Sequence, residues 1–282
     1  MPLPRLRPVR PTGPPCPRRE DGRACEPLNR VWLTQPDGKF RRAYAACTCG
    51  SRFGIGEVQD HWIGEVQDHW RDHLAAARAL RPAELIGEEG LQRELDRVPR
   101  ADRRVRHAAP GVVPVGRPVI HHPAAWVDAT DRRIAQLGEH MLAVMDAAPG
   151  IGLAANQVGA GLRLIALNFP GLVPQLWINP LLLDSRGRWT YPEGCLSLVV
   201  EGTTVDVVRP KQVTVVAQTP GGGRVIVEAD ELLARVVQHE LDHLEGIEYV
   251  QRLDGSVHDE VYGILAAQSV DVGVLPPQPY GP

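Results

Sequence analysis

Apolar residues after Asp128 recur as Ile134, Leu137, Met141, Val144 and Met145, a spacing that sets them on one face of an α-helix. Asp128 or Thr130 is the expected cap, and Pro149-Gly150 ends the helix. The pattern then shortens to β-rich runs at Leu162 to Leu167, Leu176 to Ile178, Val205 to Val208, Val213 to Ala217 and Arg224 to Val227. Pro220-Gly-Gly-Gly223, between the last two runs, reads as a hairpin turn. A second long helix begins after Asp230 and carries Leu232, Leu233, Val236, Val237, Leu241 and Leu244. It stops near Gly246, a glycine placed as a helix C′ residue. The reading is a compact α+β domain over residues 108–254, followed by a C-terminal helix and a proline-rich tail over 255–282.

The front of the chain follows neither period. Residues up to Arg19 are rich in Pro and Arg and are expected to be disordered. A Cys-bearing segment with Trp32, Phe40, Tyr44 and Phe53 follows, and then the octapeptide Ile55 to Trp62 is repeated as Ile63 to Trp70. On a helix, eight residues advance about 800°, so the two copies would face directions about 80° apart. One packed copy and one accommodated copy fit this better than a solenoid. Residues 74–107, rich in Ala, Glu and Arg, suggest exposed helix and then linker. Residues 1–107 are accordingly expected to form a partly disordered N-terminal extension.

Composition narrows the class. With 43% hydrophobic residues among 282, the chain can bury a core. It has no apolar run of about 18 residues and no apolar secretory leader, so a cytoplasmic protein without membrane contact is expected. The net charge of -3 conceals 20 Lys/Arg against 15 Asp/Glu in residues 1–107, and 11 against 19 thereafter. So mild a basic excess reads as a solvated exterior before it reads as an RNA or ribosome contact. Four of the five cysteines, Cys16, Cys25, Cys47 and Cys49, crowd the first 50 residues, and Cys195 stands alone. In a reducing compartment such usage points to metal ligation or catalysis before disulfides.

Three segments carry chemistry. In His239-Glu240-Leu241-Asp242-His243 the two histidines sit four apart on one helix face, so both imidazoles can reach a single cation, with Glu240 beside them to handle protons. Catalytic metal sites usually have three protein ligands and an open position for water. Cys195, within Pro192-Glu193-Gly194-Cys195-Leu196-Ser197, is the natural third, although a lone buried Cys is more often a small apolar residue. Gly150-Ile-Gly-Leu-Ala-Ala-Asn-Gln157 lets backbone approach a ligand and offers the Gln157 amide to a carbonyl oxygen. It lacks the Lys-Ser/Thr ending of a phosphate loop and follows a helix, where a dinucleotide fingerprint follows a strand.

Together these segments resemble the peptide deformylase family. Its three motifs occur here in order: Gly-x-Gly-x-Ala-x-x-Gln at Gly150 to Gln157, Glu-Gly-Cys-Leu-Ser at Glu193 to Ser197, and Gln-His-Glu-x-Asp-His at Gln238 to His243. The resemblance spans about Val113 to Leu253 and includes Ile178-Asn179-Pro180 and Arg209-Pro210. It implies an α+β fold with short antiparallel sheets around a central metal-binding helix, and hydrolysis of the N-formyl group of N-formylmethionyl nascent peptides. Cys195, His239 and His243 would hold the metal, typically ferrous iron, replaceable by zinc, nickel or cobalt. The ion would activate a water, and Glu240 would take its proton and pass it to the departing amine. The Gln157 amide and the Leu196 backbone N–H would hold the oxyanion. Gly152 would pair with the substrate chain; Ile151, Leu232 and Val236 would line the methionine pocket; Glu193 and Arg209 would fix the Cys195 loop.

The chain departs from the family pattern in places. Leu198-Val-Val-Glu-Gly202 stands where a proline usually follows the cysteine motif, Asn156 stands where many members have proline, and Arg235 is expected at the rim of the methionine pocket. Outside the resemblance, Cys25, Cys47 and Cys49 with His69 or His73 read either as a small structural zinc site or as reduced, unpaired thiols. Two rival functions are a zinc endopeptidase with a downstream Glu or His as third ligand, which would leave Cys195 idle, and a catalytically silent module binding nascent chains or RNA. A monomer is the expected assembly, with formylated nascent peptides as substrate and the ribosome as a candidate partner.

Overall fold

The computed structural model describes residues 27–34, 40–47, 52–53, 84–98, 108–148, 150–169, 174–270 and 272. Among the described residues, eight antiparallel strands form the main sheet. They are β1 (Pro27–Thr34), β2 (Phe40–Cys47), β3 (Arg52–Phe53), β4 (Gly152–Ala154), β5 (Leu164–Leu167), β6 (Gln175–Arg186), β9 (Gln212–Gln218) and β10 (Arg224–Asp230), in the order β3-β2-β1-β10-β9-β6-β5-β4. A separate ribbon pairs β7 (Trp189–Glu193) with β8 (Val205–Arg209). Among the described residues the α-helices are α1 (Glu88–Asp96), α2 (Arg132–Ala147), α3 (Glu231–Leu244) and α4 (Gly255–Ala267).

Alternation along the strands distributes side chains to two layers. In β5, Leu164 and Ala166 join α2, whereas Ile165 and Leu167 face the cluster around α3. All four are fully buried, the mark of a strand covered on both faces. The anticipated face of α2, Ile134 through Met145, is buried as a unit against Leu153, Val158 and Leu162. On the other layer Val213, Val215, Val225 and Val227 pack against Leu233, Val237, Leu241 and Leu244 of α3.

Several expectations are corrected. Asp131 caps α2, its side chain accepting from Arg133 N at 2.8 Å, whereas Asp128 closes an earlier turn by accepting from Thr130 N and Oγ1. The run expected at Leu176 to Ile178 is the start of a twelve-residue strand, β6. It continues through Pro180 because its pairing with β9 shifts register between Ile178 and Leu181, and a bulge tolerates a residue without an N–H. Asn179, at φ 52°, fills that kink by bonding both Val127 O and Val127 N. Strands β4 and β7 fall outside the predicted runs. The β9–β10 hairpin turns at Gly221 and Gly222, both at positive φ, as the glycine run requires.

The N-terminal extension contributes to the main sheet. β1 pairs antiparallel with β10, Val31 opposite Val227, and β2 and β3 continue outward. Within 74–107, where exposed helix and linker were expected, α1 docks on the domain: Leu91 is buried in the α2 core, Ile86 N bonds Trp126 O, and Glu94 accepts from Gly161 N. A division at residue 107 thus cuts across these contacts. The expected zinc residues Cys25, Cys49, His69 and His73, the side chain of Cys47 and the tandem repeat lie outside the described residues. No helix among the described residues is long and apolar enough to cross a membrane.

Candidate metal centre

Helix α3 begins at Asp230, whose side chain caps Glu231 N, and ends in a glycine turn in which Ile247 N bonds Asp242 O and Gly246 N bonds His243 O. This reverse turn needs the positive φ of Gly246 and leads the chain back beneath the helix end. His239 and His243, one turn apart, lie edge to face with ring centroids 4.8 Å apart. Cys195 sits in a tight turn closed by Leu198 N bonding Cys195 O. The segment after residue 108 pins that turn to the glycine-rich loop: Ala109 N bonds Leu196 O, Val113 N bonds Gln157 O, and Val115 N bonds Ser197 O.

The distant segments converge. Cys195 Sγ lies 3.2 Å from His243 Nε2, and one ligand atom each from Cys195, His239, His243 and Glu248 all lie within 4.8 Å of one another. Gln157 Nε2 approaches Cys195 Sγ at 3.4 Å and Ser197 Oγ at 3.3 Å, while its Oε1 is anchored by Ala154 N. Ser197 N also points at the sulfur, 3.3 Å away. Glu240 is buried at the edge of β4: a Cβ on Gly152 would stand 2.4 Å from Glu240 Oε1 and 2.7 Å from Val236 Cγ1, so this close approach requires glycine. Ile151, Leu232 and Val236 share the apolar cluster over α3. Leu196 is partly exposed, and its side chain packs on the α2 cluster.

Behind the histidines lies a buried ionic lattice. Arg209 grips Glu193 through Nε at 2.8 Å and Nη2 at 2.5 Å, and reaches Asp242 through Nη1 at 2.6 Å. Asp242 also binds Arg252. Glu193 Oε1 is 2.7 Å from His239 Nδ1, which turns the other ring nitrogen to the cluster. Arg235 belongs to this lattice: it is buried, bonds Glu193, Trp189 O and Val207 O, and lies over the Trp189 ring. Its expected place at the rim of the methionine pocket is therefore corrected; the buried carboxylate and two carbonyls outcompete solvent for its guanidinium. Breaking such a buried pair by removing one partner typically costs about 3–5 kcal/mol.

One residue of the site, Glu248, went unnoticed in the sequence, and another, Asn156, was singled out there without a role. Asn156 donates Nδ2 to His243 O at 2.5 Å, tying the glycine-rich loop to the end of α3. Glu248 is fully buried in the cluster; an acid inside the apolar run Ile247-Glu-Tyr-Val250 was the available signal.

Electrostatics follow from burial and neighbours. Burial pushes Glu193 up, but the Arg209 charge and hydrogen bonds, with His239, outweigh it and hold the carboxyl well below the usual range. Burial pulls His239 down, yet the Glu193 bond and charge raise it to about 9. His243, buried and next to His239, is held well below its ordinary value. Burial, followed by the Glu248 charge, drives the Cys195 thiol well up, and burial lifts both Glu240 and Glu248 to about 7. His243 Nδ1, Glu240 Oε2 and Glu248 Oε2 are buried without hydrogen-bond partners among the described residues. A thiol, two imidazoles and orphaned carboxylate oxygens are a donor set suited to a first-row divalent cation.

A sulfur-and-imidazole cluster suited to a cation, beside a buried carboxylate on an α+β scaffold, is an arrangement that metal-dependent hydrolases use. The sequence profile described as Polypeptide deformylase matches residues 110–258, and the chain belongs to that family. It is 39% identical over 147 residues to the peptide deformylase of Agathobacter rectalis, covering 52% of this chain and 91% of that one. With the peptide deformylase of Acidothermus cellulolyticus it shares 40% identity over 139 residues, 49% of this chain and 76% of that one. The crystal structure of a Synechococcus elongatus peptide deformylase in complex with actinonin aligns with TM-score 0.53 and 34% identity, over 62% of this chain and 94% of that one. The Thermus thermophilus peptide deformylase aligns with TM-score 0.52 and 34% identity, over 56% and 93%. The chain is a hydrolase that removes the N-formyl group from nascent peptides; the silent-module alternative is not favoured.

Proposed function

We propose that Cys195, His239 and His243 are the three protein ligands of a single divalent ion, ferrous iron first and zinc, nickel or cobalt as substitutes. When bound, the ion supplies Lewis-acid activation of water at neutral pH. The observation that carries this reading is the 3.2 Å approach of Cys195 Sγ to His243 Nε2 across 48 residues of chain. It also counts against an endopeptidase with an idle cysteine, even though Glu248 is an acid of the downstream kind that reading needs.

The remaining residues act on the substrate. β4 is the last of the described strands on its side of the sheet, so a formylated peptide can add along it as a further strand through the Gly152 backbone. The methionine side chain then enters the apolar surface of Ile151, Leu232 and Val236. Glu240, at about 7, is tuned to take a proton from water and return it to the departing amine. The Gln157 amide, held by its Oε1, and the Leu196 N–H stabilise negative charge as it grows on the formyl oxygen. Glu193 and Arg209 orient His239 and the Cys195 turn. Catalysis in the cytoplasm, by a monomer working near the ribosome, is the setting this activity suits.

The test is turnover of formyl-Met-Ala-Ser peptide under low oxygen with ferrous iron or nickel supplied. Cys195→Ala is expected to lose both stoichiometric metal and activity. Glu240→Gln is expected to keep the metal and lose about 10²–10⁴-fold in rate. Full activity in Cys195→Ala refutes the ligand assignment.

A further inference from the structure

Each ligating imidazole must dispose of its second nitrogen. For His239 the partner is evident, Glu193 Oε1 at 2.7 Å from Nδ1. For His243 the ring turns Nε2 toward Cys195 Sγ, so with a metal on Nε2 the ring proton must reside on Nδ1, which then needs an acceptor. His243 Nδ1 is buried and has no hydrogen-bond partner among the described residues, and Glu248 Oε2 is buried in the same condition. These two atoms are 3.9 Å apart, with side-chain exposures of 1% and 0%. A buried donor and a buried acceptor 3.9 Å apart, roughly 0.7 Å beyond bonding range, can each relieve the other, because leaving either unpaired carries its full desolvation cost; the Cys195 thiol, the carboxyl's other neighbour, has no proton to offer it once it ligates as a thiolate.

We infer that Glu248 is a positioning residue of the metal centre, its carboxylate accepting the Nδ1 proton of His243 when the ion is bound. The inference rests on the ligand assignment proposed above. The residue is delivered there by the glycine turn after α3, since Gly246 reverses the chain and Glu248 Oε1 is then pinned by Tyr249 N at 3.2 Å. That leaves Oε2 to face the ring. Direct ligation by Glu248 is the competing role, because one ligand atom from each of Cys195, His239, His243 and Glu248 lies within 4.8 Å of the others, and a metal spectrum separates the two. With Glu248 as a positioning residue the centre has a carboxylate behind each imidazole, Glu193 behind His239 and Glu248 behind His243. Both imidazoles become stronger donors, which tightens the hold on the cation.

The experiment uses the full chain loaded with zinc or cobalt, comparing wild type with Glu248→Gln and Glu248→Leu. Zinc affinity, read by chelator competition, is expected to fall about 10–100-fold in Glu248→Leu, and less in the isosteric Glu248→Gln. In nitrogen-15 spectra of the zinc protein, wild type should show a strongly hydrogen-bonded Nδ1–H for His243 that weakens in Gln and vanishes in Leu, with the His239 signal unmoved. A His243 ring signal and a zinc affinity both unchanged in Gln and Leu would overturn the inference. So would a cobalt spectrum showing an oxygen ligand in wild type that Glu248→Leu loses, which would make Glu248 a direct ligand. A wild-type cobalt protein without a sulfur-to-metal charge-transfer band would instead refute the parent ligand assignment, and this inference with it.

Discussion

At the scale of single residues, glycine is as much a part of the site as the donors. Gly152 has no side chain because Glu240 and Val236 occupy the space where one would begin. Gly152→Ala should displace the Glu240 carboxylate and the substrate edge together. We expect turnover of formyl peptide to fall about 100-fold, with metal content and circular dichroism unchanged; undiminished kcat would show that the edge yields without cost. The proposed donors Cys195, His239 and His243 and the pair Glu193–Arg209, which the fold brings together, could be singled out in the sequence because each is a distinctive residue type in a short segment the family resemblance covers. The role of Asn156 and the true place of Arg235 could not, since their partners stand 87 residues away for the one and 28 to 46 for the other. Glu248 is near His243 in sequence, but only the chain reversal at Gly246 aims it at the ring.

At the scale of elements, helix faces were readable and docking was not. The apolar stripe of α2 and the glycine stop of α3 follow from local periodicity and backbone conformation. Beside the contacts of Leu91, Ile86 and Glu94, α1 is also held by Arg133, which binds Glu88 through both Nη atoms at 2.6 and 2.7 Å and also holds Asp131. Hydrogen bonds to Arg133 are the main cause that lowers the Glu88 and Asp131 carboxyls from ordinary values of 4.5 and 3.8, against a smaller burial effect. Groups depressed in the folded state stabilise it above their unfolded pKa, and that contribution disappears as pH falls through the folded value. The Tm advantage of wild type over Arg133→Leu should therefore be present at about pH 6–7, shrink below about pH 4, and be gone once both carboxyls are protonated. A gap independent of pH would mean that Arg133 acts by packing alone.

At the scale of the whole molecule, the extension alters the edge of the sheet while the metal centre lies elsewhere. β1 covers the outer edge of β10, and an uncovered edge strand offers a row of unpaired backbone groups to other chains. Deleting residues 1–53 should leave formyl-peptide turnover intact, since the family match begins at residue 110. It should also promote concentration-dependent association in sedimentation velocity; a truncated chain that stays monodisperse at high concentration would show that β10 is protected in some other way. The sequence by itself determined the family, the α+β class, the three proposed ligands and the proposed general base, because those are written in contiguous motifs whose spacing fixes which side chains share a face. Only the tertiary structure decided that the front of the chain extends the sheet, that Arg235 serves the ionic lattice and that Glu248 stands behind His243. Strand pairing and buried charge compensation are settled by which distant groups meet inside a low-dielectric core, and local sequence carries no record of that meeting.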